Sequence, residues 1–235
     1  MTTETTPAPE PMAAFFDRRA AGYDAHMCSN VFTDATFVKF YRAVASPIPE
    51  TVQPLQILDL GCGTGLEIEF LLQRAPHAQI TAVDLSEGML ALLEERYHAQ
   101  MPQITLVADS YLTMDLGAQR YDYILSAMTI HHLLHEPKRR LYAQIYAALK
   151  PGGQYIEGDT VTTAAHEAAF LAEYAEEIAQ VPSAEDGAYH IDVPFAIETQ
   201  RKLLSSAGFK EFTLLWQLDS SAEWNHAVYV VTKSK

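Results

Sequence analysis

Three sets of residues in this 235-residue chain are spaced for chemistry: glycines that bare the backbone, acids that end apolar runs, and clustered histidines. Asp59-Leu60-Gly61-Cys62-Gly63-Thr64-Gly65 follows an apolar run, and glycine at every second position makes a tight turn that lets a ligand touch main chain. Such a turn suits a nucleotide-like ligand. Nineteen residues past Gly65, the run from Gln79 to Val83 ends on Asp84, about where a carboxylate can accept hydrogen bonds from both ribose hydroxyls. A third run, from Ile104 to Ala108, ends on Asp109 and Ser110.

A second group can move protons. His131 and His132 follow a fourth apolar run that ends on Ser126 and Ala127. Glu157-Gly158-Asp159 places two acids either side of a glycine, which reads as a flexible polar wall, and Tyr189-His190-Ile191-Asp192 arrives from farther along the chain. Histidine and carboxylate are the side chains best suited to general acid–base work near neutral pH. His131, nearest its strand end, is the preferred group, with Glu157, Tyr189 and His190 as further candidates. His131 and His135 would share a helical face near His132 and Glu136, but the spacing lacks the paired histidines with an intervening glutamate of a zinc protease, so no metal is expected. Cys28 has nothing basic predictably beside it.

The elements that must carry these residues alternate. Leu55 to Asp59 reads as a first strand, followed by helix Leu66 to Arg74, strand Ile80 to Val83, helix Glu87 to Tyr97 capped by Ser86, and strand Ile104 to Ala108. Tyr121 to Ser126 makes a fourth strand, Pro137 to Leu149 a helix, and Lys150-Pro151-Gly152-Gly153 a sharp turn into strand Gln154 to Glu157. Short apolar strands separated by helices predict a parallel sheet buried on both faces, with ligands at the strands' C-terminal edge. Two helices, Met12 to Ala25 and Val31 to Ala45, precede the sheet. Residues 160–193 break the rhythm with a helix from Ala164 to Gln180 and a loop, a candidate lid. Helix Phe195 to Ala207, stopped by Gly208, leads into a final hairpin of Phe212 to Leu218 and Glu223 to Thr232.

Composition limits the partners. With 49% apolar residues and a net charge of −14, the chain has material for a full core and would repel a phosphate backbone over most of its surface. Nucleic acid is therefore not an expected partner, and Lys138-Arg139-Arg140 reads as a solvated helix face. No run is long enough for a membrane span, so no membrane partner is expected. The first eleven residues read as a disordered tail without a secretory pattern, and residues 12–235 as one domain. Two cysteines, Cys28 and Cys62, make no disulfide framework, which fits a reducing cytoplasm. The oligomeric state is open, a homodimer included.

The ordered set Asp59 to Gly65, Asp84, Asp109 and Lys150 to Gly153 resembles the class I S-adenosylmethionine-dependent methyltransferases, over a stretch from about Phe15 to the C-terminus. The resemblance implies a Rossmann-like, doubly wound, seven-stranded α/β sheet, mostly parallel with an antiparallel C-terminal strand. It implies S-adenosylmethionine as cofactor and a small-molecule methyl acceptor. Carried onto this sequence, Gly61, Gly63 and Gly65 pass close to the amino-acid end of the cofactor, Asp59 balances its ammonium, and Asp84 takes the ribose. Asp109 and Ser110 read adenine, Leu85 and Met89 pack on its face, Ser126 and Ala127 lie beneath the sulfonium, and Tyr23 closes over it. Two alternatives remain: a protein that binds the cofactor without transferring its methyl, and a nicotinamide-dependent oxidoreductase. The second is disfavoured because the third glycine falls one residue earlier than G-x-G-x-x-G requires.

Overall fold

A computed structural model describes residues 8–181, 185 and 187–235. Seven strands form one sheet in the order β3-β2-β1-β4-β5-β7-β6. They are β1 (Gln56–Leu60), β2 (Gln79–Asp84), β3 (Ile104–Ala108), β4 (Tyr121–Ala127), β5 (Leu149–Val161), β6 (Glu211–Gln217) and β7 (Asn225–Thr232). β1 to β5 pair in parallel, while β7 is antiparallel to both β5 and β6. The expected sheet is the observed one. From β1 the order runs one way to β3 and, from β4, the other way, so the switch point lies between the ends of β1 and β4, where an open α/β sheet leaves a crevice.

The strands are apolar on both faces because both are covered. Ile57 of β1 packs with α3 (Asp34–Ala45), α4 (Ile68–Arg74) and α5 (Glu87–Arg96), whereas Leu58 and Leu60 pack with α6 (His135–Ala148) and α8 (Ile197–Ser206). Side chains alternate along a strand, so consecutive residues feed opposite layers. α3 starts where the Thr33 hydroxyl accepts from the Thr36 N–H and the Thr36 hydroxyl accepts from the Thr33 N–H, a reciprocal cap. Phe40 and Val44 of α3 fill the space beside Gly158, where a Cβ would come within 2.7 Å of Val44 and 2.9 Å of Phe40. Gly158 is therefore a packing position inside β5 and not the flexible link expected of it.

Other boundaries shift for local reasons. The first expected helix is broken into α1 (Met12–Arg19), a 3-10 turn and α2 (Tyr23–His26), followed by a wider turn over Met27–Val31. β5 begins at Leu149, and the expected turn at residues 150–153 becomes an irregularity in it, pairing Leu149 with Tyr121 but Gln154 with Tyr123. Lys150 there grips both oxygens of Asp122 at 2.8 Å. α7 (Glu167–Ile178) is the insertion's helix, and Tyr174 packs with Ile191, Val193 and Phe195 into a small satellite core. Pro11, read as tail, bridges Tyr189; Glu10 accepts from the His190 N–H and Ala188 from that of Met12. Residues 1–7 of that expected tail, and 182–184 and 186 of the insertion, lie outside the described residues.

The basic run disperses. Lys138 is fully buried, with its ammonium 4.5 Å from the Phe195 ring centre, and Arg139 pairs with Glu136. The expectation of a solvated three-base face fails at Lys138, because one side of α6 is pressed against the sheet. Among the described residues no helix is long and apolar enough to cross a membrane.

Candidate functional site

The turn after β1 is held open by its neighbours. Gly61, Gly63 and Gly65 all have positive φ, at 69°, 51° and 74°. Val83 accepts from the N–H groups of Gly61 and Cys62, and the Gly63 N–H donates to Asp84 Oδ2 at 2.8 Å. The other oxygen, Asp84 Oδ1, accepts from the Ser86 N–H at 2.8 Å. Each carboxylate oxygen keeps a second lone pair, so Asp84 still has acceptors to offer after bracing the turn. Burial pushes its carboxyl above the ordinary range against these N–H bonds.

Asp59 lies beneath the turn with no exposure, and neither oxygen has a hydrogen-bond partner among the described residues. Burial raises it to about 7. Its neighbour Glu67, also buried, is pushed well above the carboxylate range by burial and by Asp59. Two buried carboxyls with no cation between them cost free energy, and an ammonium lodged in the turn would offset it. The residues present thus fit the amino-acid end of S-adenosylmethionine.

A pocket of about 580 Å³ including its open mouth lies on the turn, lined by Tyr23, Gly61, Gly63, Asp84, Leu85, Met89 and Ser110 among others. These seven are among the residues the sequence assigns to the cofactor. Five others are not on its wall. Asp59 is underneath, and Gly65 packs onto Ile68, Leu93 and Tyr97. Asp109 is exposed and its Oδ1 accepts from the Ser110 N–H at 2.7 Å. Ala127 is in the core, and Ser126 sits 2.8 Å from the Tyr155 hydroxyl on the opposite face. In their place the chain beyond β4 supplies Met128 and Thr129. Met128 has φ of 55°, an unusual conformation for a non-glycine residue that sequence periodicity does not reveal.

A second chamber, about 1760 Å³ including its open mouth, adjoins the first. Phe16, Tyr23 and Met128 line both. Its wall carries His131, His132, His190, His226 and Asp192. His131, in the turn after β4, has Nδ1 2.5 Å from Asp159 Oδ1, while Asp159 Oδ2 accepts the N–H groups of Ile130 and His131. Burial opposes a charge on His131, but Asp159 and Asp192 outweigh it and push the imidazole up to about 10. Burial holds His190 down to about 3 and His226 to about 4. His190 stacks on Phe15 with ring centres 3.4 Å apart.

The other two expected proton-handling groups stand elsewhere. Tyr189 packs with the satellite core and bridges Pro11. Glu157 is fully buried under the sheet, accepting from Tyr142 and Tyr155 at 2.8 Å and from Tyr229, with Gln200 at 3.3 Å. It faces α6 and α8 because it shares a strand face with Tyr155, so it does not form the expected polar wall. His226, on β7, was not singled out in the sequence, where it sits in a run of ordinary hairpin residues.

Comparison with known proteins agrees with this geometry. Residues 57–153 match a family model described as a methyltransferase domain. That stretch, about two fifths of the chain, is similar to the class I S-adenosylmethionine-dependent methyltransferases. Among similar proteins, a malonyl-[acyl-carrier protein] O-methyltransferase from Priestia megaterium is 35% identical over 106 residues, covering 44% of this chain and 36% of that protein. A demethylmenaquinone methyltransferase from Symbiobacterium thermophilum is 29% identical over 157 residues, covering 64% and 61%. The chain thus spans about a third of the first relative's length and under two thirds of the second's. In fold, a methyltransferase-family structure from Haemonchus contortus, phosphoethanolamine N-methyltransferase 2 with S-adenosylhomocysteine bound, aligns with TM-score 0.68 at 17% identity, over 95% of this chain and 60% of that one. Human N-acetylserotonin methyltransferase, solved with its methyl donor, gives 0.66 at 18% identity, over 98% and 61%.

Proposed function

We propose that the protein transfers the methyl group of S-adenosylmethionine to a small-molecule acceptor held in the histidine-lined chamber. The observation that carries this is the shared wall: Phe16, Tyr23 and Met128 border both the glycine-turn cavity and the chamber, so a donor in one meets an acceptor in the other. When bound, the cofactor supplies a methyl carbon activated by positive sulfur. The chain's part is alignment and exclusion of water, which can supply most of the barrier lowering in an in-line displacement. Asp84 and the turn hold the donor, Asp59 balances its ammonium, and α1 with residues 187–193 closes the chamber.

His131 and His190 border the acceptor space. Glu157 would serve only as buried support for the strand that carries Asp159. Two relatives are named for acceptors as different as malonyl-[acyl-carrier protein] and demethylmenaquinone, so the proposal leaves the acceptor atom open. Cys28 and Cys62 are free thiols, which supports a reducing, cytoplasmic setting.

The test is incubation with methyl-labelled cofactor and a panel of thiols, phenols, amines and carboxylic acids. Label should pass to at least one acceptor class with stoichiometric formation of the demethylated cofactor. Cofactor binding without transfer to any member of a broad panel would favour the non-catalytic reading.

A further inference from the structure

The histidines and acid of the chamber wall have an arrangement that methyl transfer does not require. Asp192 Oδ1 lies 3.3 Å from His131 Nε2 and 3.0 Å from His132 Nδ1. Despite these distances it has no hydrogen-bond partner among the described residues, although it is buried. The ring N–H groups do not bond it; His132 Nδ1 lies 3.3 Å from the Ile191 carbonyl instead, a contact a cation would replace, and the three ligand atoms stand within 4.8 Å of one another. Two ligands at about 2.0–2.1 Å from a tetrahedral zinc ion stand about 3.3 Å apart, close to both distances from Asp192.

We propose that His131 Nε2, His132 Nδ1 and Asp192 Oδ1 bind a divalent late first-row cation, Zn2+ or Co2+, on the wall of the acceptor chamber. Two imidazoles and a carboxylate are a ligand set for these ions, and three protein ligands leave a coordination position free. The position beyond them is the chamber itself, since all three residues line it. His131 also has the support that metal-binding histidines usually have. Its other nitrogen, Nδ1, is 2.5 Å from Asp159 Oδ1, and Asp159 is fixed in turn by the N–H groups of Ile130, His131 and Thr160. A carboxylate behind a ligating imidazole fixes its tautomer and orientation.

Of the residues that sequence spacing brought together for a metal, His135 and Glu136 do not serve. His135 stacks on Phe195 with ring centres 4.3 Å apart, and Glu136 pairs with Arg139. The third ligand comes from 60 residues away (192 − 132), beyond the reach of a spacing motif. The cation would sit in the space where the acceptor is placed, so the proposal deepens the functional reading, but its test needs no acceptor and no turnover.

The 235-residue chain, stripped with chelator, is titrated with Co2+ while its visible d–d absorption is followed, and zinc retained after gel filtration is measured by mass spectrometry. The expected result is one cation per chain with the intense bands of a four- or five-coordinate site. Asp192→Asn and His132→Gln should lose the bands, and Asp159→Asn should weaken binding about 10–100-fold. His135→Gln should bind as the parent does. Cofactor affinity and the thermal melt, measured on the same samples, separate loss of metal from loss of fold or of the donor site. Absence of the bands in the parent, or equal binding by a folded Asp192→Asn, His132→Gln double variant, would overturn the proposal.

Discussion

The backbone N–H of Gly63 donates to Asp84 Oδ2 at 2.8 Å, so the turn after β1 and the acid ending β2 are one bonded unit before any ligand arrives. Asp84 braces Gly63 and Ser86 and, in the proposed function, also receives the ribose. Asp84→Ala should therefore weaken cofactor binding by at least about 100-fold and also destabilise the fold by about 2–3 kcal/mol, since two bonds to a charged acceptor contribute about 1.5–3 kcal/mol each and relief of the carboxylate's burial offsets part of that loss. Calorimetry and denaturant melts read the two effects separately. Unchanged cofactor affinity in a folded variant would count against the assigned site.

Gly61 tests the turn from the other side. A Cβ there would come within 2.3 Å of Thr129 Oγ1 and 2.7 Å of Thr129 Cβ, at φ of 69°. Gly61→Ala should cost about 1–3 kcal/mol from backbone conformation alone, with the Thr129 contact added. Adding Thr129→Gly should recover the steric part and leave the backbone part. Equal stabilities for the single and double variants in urea would mean that Thr129 moves freely.

Asp59 gives a proton signature. Its folded value of about 7 lies above that of an unfolded carboxylate, so its contribution to stability is fully present at acid pH and fades as pH rises through about 7. A ligand ammonium favours the ionised form and should release part of a proton on binding near pH 7, falling toward zero above about pH 8.5. Calorimetry in buffers of different ionisation enthalpy measures this release. It should disappear in Asp59→Asn; an unchanged release would move the proton to another group.

Phe15 and His190 join the two segments that close the chamber, stacked at 3.4 Å with an interplanar angle of 12°. With the Met12–Ala188 and Glu10–His190 main-chain bonds, they tie α1 to residues 187–193, which should open as one. Phe15→Ala should raise hydrogen exchange in both segments at once, while β1 and β4 stay protected. Faster exchange in only one of them would show that the segments move independently.

How much of this was legible beforehand depends on distance along the chain. The alternation of short apolar strands with helices, the glycine turn and the acids at Asp59, Asp84 and Asp109 are local patterns, fixed by the backbone's need to bury both sheet faces and by glycine's access to positive φ. From them the parallel alternation and a ligand-binding glycine turn could be read, while the seven-stranded count and the residue roles toward the cofactor came with the family resemblance. Tertiary structure decided which side chains face which cavity. A strand-end position does not specify a face, so Glu157 and Ser126 turned into a buried network with Tyr142, Tyr155 and Tyr229. Met128 and Thr129, with no motif of their own, took the cavity wall. The gathering of His131, His132, Asp159 and Asp192 was likewise not readable by spacing, because β4, β5 and the insertion bring them together only when the sheet has formed and the insertion has packed over its edge.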